Sequence, residues 1–345
     1  MPKVIENSNN LTTGTSVSSG TFARFMDAFG PFAAGGRIAV AVSGGPDSMA
    51  LCHLSKEWAD FRGLRVVGLT VDHRLRDEGR TESQQVSKWL EAVEMEHETL
   101  TWEQGESVKA LDRSPQAAAR DARFGLLCGW CRENDIVALM TAHHADDQAE
   151  TFLYRLVRGS GVNGLAAIAP ETMRNEVRIL RPLLKASKAD LISTCGSHGQ
   201  DWVNDPSNGD DAFARVRLRR IMTALEQEGL HRDRLLKTVD HMARAKSAID
   251  AAVDELMDSS SMRADEGPIE IDVAALNEAP EEIGLRCLAR CLMQVSGAVY
   301  PPRFDSLTSL YKALDPTKWS DRTLHGCQLR MKSTQLVVSL ESRER

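Results

Sequence analysis

The chain has 345 residues, enough for two or three domains with real cores, and its 42% hydrophobic and 26% charged residues sit within the globular norm. A net charge of −7 excludes indiscriminate nucleic-acid binding over the whole surface, though not a local basic patch. Seven scattered cysteines argue against a disulfide framework, and no apolar run is long enough to span a membrane. With no charged-then-apolar leader either, the expectation is a cytoplasmic protein with no membrane partner.

Residues 1–20 are rich in Ser, Thr and Asn with little to bury, which predicts a disordered tail. Phe22, Phe25, Met26 and Phe29 then recur at helical spacing and predict a first helix over 21–30, its apolar stripe serving the core. Residues 38–42 are a short apolar run typical of a parallel strand covered on both faces. It runs into Ser43-Gly44-Gly45-Pro46-Asp47-Ser48. Gly44 and Gly45 permit positive φ and close approach of a ligand, and Pro46 suits the first turn of a helix. That helix aims its unpaired N–H groups and positive dipole end at the loop, and Ser43 and Ser48 add hydroxyl donors. Such a loop is built to hold an anion, and a phosphate fits it. It is not a Walker loop, which ends in Gly-Lys-Ser/Thr, nor a dinucleotide fingerprint, which needs three spaced glycines.

Helix 47–58 leads to a strand over 64–71 that ends in Asp72-His73-Arg74-Leu75-Arg76. An amphipathic helix (81–95), a polar connection and a helix from Ser114 to Arg132 follow, the last opened by the cap pair Ser114 and Pro115. A buried strand over 136–141 precedes a helix over 145–158. Strands alternating with helices predict an α/β fold built on a doubly wound parallel sheet. Ligands in such sheets sit at the carboxyl ends of the strands, and all three of these strands end in polar clusters. Beyond them come a flexible loop (159–164), the stop Arg181-Pro182-Leu183-Leu184, a helix near 187–196, and the turn Asp205-Pro206-Ser207-Asn208. Residues 212–257 read as helical and basic, 259–268 as a linker, 280–295 as a helix, and 328–340 as a hairpin. The predicted organisation is a tail (1–20), a domain carrying the phosphate loop (21–235), and a smaller C-terminal part (236–345), helical and then with short strands from about 322.

Chemistry concentrates in Thr141–Thr151, which places His143, His144, Asp146, Asp147 and Glu150 between a buried strand and a helix. A phosphate held by the loop calls for Mg²⁺, which takes hard carboxylate oxygens with phosphate and water. Asp47 and one of Asp146 and Asp147 are the candidates. A zinc site from His143, His144 and Asp147 competes, but adjacent histidines diverge and no cysteine lies near. One of the two aspartates can serve as a helix cap instead. Arg120 and Arg123 lie three apart on one helical face and suit phosphate or RNA, with a solvated face paired to Asp121 as the plainer alternative. Cys128 and Cys131 fall inside a predicted helix with no second pair at ligand spacing, so they read as structural thiols, as do Cys287 and Cys291. Between Arg215 and Lys246 nine Lys/Arg face four Asp/Glu, a stripe suited to a nucleic-acid backbone.

Ser-Gly-Gly-x-Asp-Ser resembles the pyrophosphate loop of the ATP pyrophosphatases, which cleave ATP to AMP and pyrophosphate. From about Arg37 to Arg220 the chain resembles the tRNA(Ile)-lysidine synthetase family. The resemblance runs through Ser43–Ser48, Val71–Arg76, Ala119–Phe124, Thr141–Thr151, Arg158–Leu165, Arg181–Leu184 and Asp205–Asn208, and the end of the family is echoed in Arg322–Cys327. Phe124 stands where tyrosine is common, and the last domain is shorter than in the longest relatives.

The resemblance implies a Rossmann-type, adenine nucleotide alpha-hydrolase-like fold, ATP and Mg²⁺ as cofactors, and free L-lysine and an isoleucine tRNA with a CAU anticodon as partners. The oligomeric state is left open, a homodimer being one option. It implies a two-step ligation: the wobble cytidine O2 attacks the α-phosphate, releasing pyrophosphate, and the lysine ε-amine then displaces AMP. Ser43, Gly44, Gly45, Pro46, Asp47 and Ser48 would hold pyrophosphate, and Asp47 with Asp146 the metal. Main chain beyond Leu69–Asp72, with Asp72, would bind adenine. Asp147 would hold or deprotonate the lysine, and Arg120 and His143 would contact the α-phosphate or RNA. A tRNA thiolase, an ammonia-using amidotransferase partner, or an RNA-binding module with a dead nucleotide site are the alternatives.

Overall fold

Residues 38, 40 and 42 belong to one apolar layer and residues 39 and 41 to another, so the strand that precedes the glycine loop is buried on both faces. The computed structural model describes residues 4–5, 14–72, 74, 78–102, 115–204, 221–222, 224–263, 267–298 and 300–341. The chain divides into two compact units, residues 1–241 and 242–345.

The first unit begins with β1 (Val4–Ile5), α1 (Ser19–Asp27), β2 (Arg37–Ala41), α2 (Pro46–Arg62), β3 (Arg65–Asp72), α3 (Glu78–Ala92) and β4 (Glu96–Thr101). It continues with α4 (Pro115–Glu133), β5 (Ile136–Met140), α5 (Ala145–Val157), α6 (Val162–Leu165), β6 (Glu171–Arg174), β7 (Val177–Leu180), α7 (Lys188–Ser197) and β8 (Trp202–Val203). A long helix, α8 (Arg232–Ser260), starts in this unit and ends in the next.

Six strands pair in the order β4-β3-β2-β5-β7-β6, all parallel except the antiparallel β6–β7 hairpin. The chain moves outward from β2 through β3 to β4, then crosses to the other side of β2 for β5. The switch point therefore lies between β2 and β5, where ligands of open α/β sheets bind. Ile38, Val40, Ala138 and Met140 face the layer containing Met49, Leu51, Leu54 and Leu90; Ala39, Ala41, Val67 and Leu69 face Phe124, Leu127, Cys128 and Cys131 of α4. This is the doubly wound fold that the alternation predicts.

Two features depart from expectation. Residues 96–101 were expected to be a polar connection and are instead β4, an edge strand. Its Glu-His-Glu-Thr-Leu-Thr lacks an apolar run because one side of an edge strand faces solvent, where charge discourages further pairing. The expected disordered tail is also placed in part. Ser18 caps α1 by accepting from the Thr21 N–H, Val17 is buried, and Thr15 and Val17 bond to α7.

In the second unit β9 (Ser261–Arg263), β10 (Ile269–Asp272), α9 (Val273–Glu278), α10 (Glu281–Ser296), α11 (Phe304–Lys312), β11 (Arg322–Leu324), β12 (Cys327–Lys332) and β13 (Gln335–Leu340) follow in order. The strands form an antiparallel sheet, β11-β12-β13-β10-β9. Residues 261–263, inside the expected linker, thus form strand β9, and β10 begins directly after that linker. Ile269 pairs with Val338, a partner so distant in sequence that local composition carries no sign of it. Leu285, Leu288, Cys291 and Leu292 of α10 cover Ile271, Leu329, Leu336 and Val338 of this sheet. Among the described residues no helix is long and apolar enough to cross a membrane.

Candidate active site at the sheet switch point

The loop after β2 is shaped from within. Gly44 has φ +79°, a conformation that costs an L-residue strain, whereas Gly45 is extended at φ −73° and serves as the N-cap of α2. The expectation of positive φ at both glycines therefore holds for Gly44 alone. A Cβ on Gly44 would lie 2.8 Å from Val86 Cγ2 and 3.2 Å from Val203 Cγ2, so close packing also demands glycine there. The Ser43 N–H donates to Ser48 Oγ at 3.1 Å, and Ser48 Oγ donates to the Gly45 carbonyl at 3.0 Å. The Ser48 hydroxyl, read from sequence as a ligand donor, thus sets the loop's curvature. Pro46 opens α2, and the first-turn N–H groups of Asp47 and Ser48 have no intrahelical carbonyl to bond.

Across the switch point the loop after β5 carries the second set of groups. The Thr141 N–H donates to the Leu180 carbonyl and the Ala145 N–H to the Ala186 carbonyl, tying that loop to the segment after β7. His143 Nδ1 is 2.9 Å from Thr141 Oγ1, which orients its ring. The His144 N–H donates to Asp147 Oδ2 at 3.0 Å, so Asp147 is the aspartate that caps α5.

These loops meet around His144 and Asp47. His144 Nε2 lies 3.6 Å from both Asp47 Oδ2 and Asp147 Oδ2, and Nδ1 lies 3.4 Å from Asp146 Oδ2. The Nδ1 contact has ion-pair distance without hydrogen-bond geometry. Burial alone would hold the imidazole neutral, but Asp146, Asp47 and the charge of Asp147 outweigh it and push its pKa up to about 10. Burial likewise opposes ionisation of Asp47 and Asp146. His144 and Lys188 nonetheless hold Asp47 below its usual value, and His144, the Lys188 N–H and Arg232 do the same for Asp146.

Because the folded pKa of His144 lies above the ordinary 6.5, its contribution to stability is full below about pH 6.5 and is lost as pH rises through about 10. The expected result is a thermal midpoint that falls between pH 7 and pH 10 in the wild-type protein and falls less steeply in His144→Gln, measured by circular dichroism.

Two members of the site were not singled out in the sequence. The Lys188 ammonium donates to Asp47 Oδ1 at 2.8 Å and Oδ2 at 2.7 Å, and its backbone N–H donates to Asp146 Oδ2 at 2.8 Å. A cation in the first turn of α7 is disfavoured by the helix dipole by about 0.3–1 kcal/mol, and Asp47 offsets this. Arg232, at the start of α8, places Nη1 3.3 Å from Asp146 Oδ1. It lies within the basic stripe that the charge count picks out, whereas Lys188 carries no signal beyond the Ser187–Asp190 capping box beside it.

Other expected positions are placed less completely. Asp72 ends β3, its carboxylate accepting from the Arg74 N–H at 3.0 Å and its carbonyl from the Trp102 N–H. Arg120 lies on α4, but its side chain is outside the described residues. Also outside them are His73, the turn Asp205–Asn208, and Arg215, Arg217, Arg219 and Arg220 of the basic stripe.

Cys128 and Cys131 are fully buried in the α4 layer, and burial raises both thiol pKa values, to about 12 for Cys131. Such thiols are packing groups. Cys128→Ser is expected to leave turnover at the switch-point site unchanged while losing about a few degrees of thermal midpoint. Among the described residues no group of three or more His, Cys, Asp and Glu is arranged to hold a metal, so His143, His144 and Asp147 do not form the competing zinc site.

Residues 18–226 match the model of the PP-loop domain family. The chain is 40% identical over 300 residues to the tRNA(Ile)-lysidine synthase of a Bradyrhizobium species, covering 84% of this chain and 82% of that one. It is 35% identical over 309 residues to the tRNA(Ile)-lysidine synthase of Wolbachia pipientis wMel, covering 89% and 71%. Among solved structures, the U34-tRNA thiolase NcsA of Methanococcus maripaludis superposes with a TM-score of 0.54 at 15% identity, covering 67% of this chain and 78% of that one. That likeness is one of fold.

Proposed function

The chain belongs to the PP-loop family and, within it, to the tRNA(Ile)-lysidine synthases, and from that premise we propose how its site performs the reaction. It is an ATP-using enzyme that ligates lysine to tRNA(Ile), forming lysidine. The observation that supports the residue roles best is the convergence of Asp47, His144, Asp146, Asp147 and Lys188 at the switch point.

The N–H groups at the start of α2, with its dipole, hold the outer phosphates of ATP in the loop Ser43–Ser48. Asp47 suits Mg²⁺, because its carboxylate already holds one cation, the Lys188 ammonium, and a carboxylate has about four lone-pair sites. Asp146 suits it less, since its oxygens are held by a backbone N–H fixed in a helix turn and by Arg232, whereas the ammonium on Asp47 sits on a flexible stem that can swing aside. The metal role therefore goes to Asp47 with the phosphates, and Asp146 becomes the hub that aligns His144 and Lys188. When bound, Mg²⁺ supplies positive charge against the leaving pyrophosphate.

His143, its ring oriented by Thr141, and Arg120 contact the α-phosphate or the RNA. The wobble cytidine of a CAU-anticodon tRNA is splayed from its loop, which single-stranded RNA permits at low cost. Its O2 attacks the α-phosphorus, and pyrophosphate leaves. The lysine ε-amine must lose a proton before it attacks C2 and expels AMP. Asp147 is the acceptor: Oδ2 caps α5, and Oδ1 carries no hydrogen bond among the described residues.

The test is incubation of the purified protein with labelled lysine, ATP, Mg²⁺ and unmodified isoleucine tRNA. Label in the RNA with matched release of pyrophosphate is the expected result. Pyrophosphate release with no label in RNA overturns the ligase reading.

A further inference from the structure

We infer that residues 14–17 are positioning residues for the nucleotide site, acting through helix α7 on Lys188. The inference rests on the reading that Lys188 and Asp47 border bound ATP.

Gly14 is seated against the first turn of α7 with no room for a side chain. A Cβ there would lie 2.3 Å from the Ala189 carbonyl carbon and 2.6 Å from the Asp190 nitrogen, backbone atoms that cannot swing aside. From that seat the segment runs along the helix. The Thr15 N–H donates to Asp190 Oδ1 at 2.9 Å, Ser16 Oγ lies 3.0 Å from Ser197 Oγ, and the Val17 N–H donates to the buried Thr194 Oγ1 at 2.9 Å. Further upstream, β1 pairs with β8, and the Val203 N–H of β8 donates to the Gly44 carbonyl. The same stretch of chain thus touches both elements that border the phosphate loop, α7 and β8. It also precedes the matched family domain, which begins at residue 18.

The two ends of α7 are held differently. At its carboxyl end His198 Nε2 meets Glu57 Oε1 of α2 at 2.8 Å, and beyond it His53 Nε2 meets Gln200 Oε1 at 2.9 Å. At its amino end, next to Lys188, Asp190 receives the Ser187 N–H on one oxygen and the Thr15 N–H on the other. Lys188 must hold its ammonium on Asp47 against the helix dipole, so its position depends on where that first turn sits. Shifting the turn alters the charge that Asp47 presents to phosphate.

The experiment is calorimetric titration of the full chain with ATP and Mg²⁺ for the wild type, Gly14→Ala and Thr15→Pro, the last removing the N–H donor to Asp190 and fixing φ at that position. The expected result is a rise in Kd of about fivefold or more in both variants at unchanged stoichiometry. In a Lys188→Ala background, Gly14→Ala should then produce no further change. A purely structural segment would instead lower the binding-competent fraction, and so the stoichiometry, at constant Kd. That outcome, an unchanged Kd, or an undiminished effect in the Lys188→Ala background overturns the inference. A wild type that binds no ATP overturns the underlying site reading, and binding by the wild type with both variants unaltered overturns this inference alone.

Discussion

Asp47→Asn is expected to reduce lysine incorporation into tRNA by roughly 10²–10³-fold, the scale seen when a preorganised electrostatic group is removed from a reacting centre. The substitution keeps the shape of the side chain and removes its charge. Lys188 then loses the carboxylate that accepts its ammonium on both oxygens, and His144 loses one of its three acidic neighbours. The pair is neither exposed nor fully buried, with side-chain exposures of 41% for Lys188 and 26% for Asp47. The stability cost therefore falls between the surface and buried limits, on the order of 2 kcal/mol. The chain should stay folded by circular dichroism while pyrophosphate release collapses. A variant that retains a tenth of the wild-type rate would remove Asp47 from the reacting centre.

Gly44→Ala is expected to weaken ATP binding by roughly 10²-fold, by a different route. The backbone at φ +79° costs an alanine about 1–2 kcal/mol, and the new Cβ would come within 2.8 Å of Val86 Cγ2. Val86 and Val203 crowd the site from two separate elements, so the loop itself has to shift. A displacement of about 1 Å at a phosphate cradle corresponds to roughly a 10²-fold loss in binding or rate. Gly45→Ala is the comparison: φ there is −73°, and a Cβ would meet only Ser43 Oγ at an ordinary 3.7 Å. Its thermal midpoint should match the wild type, while that of Gly44→Ala drops. Equal midpoints for the two variants would contradict the packing argument.

The sequence makes the parallel sheet legible because strands buried on both faces leave a signature that needs no partner to be recognised. Ile38–Val42 and Ile136–Met140 are apolar throughout, and each ends at the polar cluster that becomes part of the site. Asp47, Asp146 and Asp147 could be named for the same reason: residue type and placement at a strand's carboxyl end are local properties. The edge strand β4 was not legible, since solvent on one side allows it a polar sequence. Strands β9 and β10 were not legible either, since their partner lies at the far end of the unit.

What the sequence determined by itself is the chemistry: a phosphate loop at the end of a buried strand, acidic and imidazole groups at the end of another, and the family to which both belong. Tertiary structure alone decided which groups pair. Asp147 caps its helix, Asp146 is shared by His144, Lys188 and Arg232, and Asp47 carries the Lys188 ammonium. Lys188 and Asp47 stand 141 residues apart, and no local pattern records a charge pair that exists only because the topology brings the segment after β7 beside the loop after β2. Propensity and periodicity act within a few residues, whereas ion pairing acts through space.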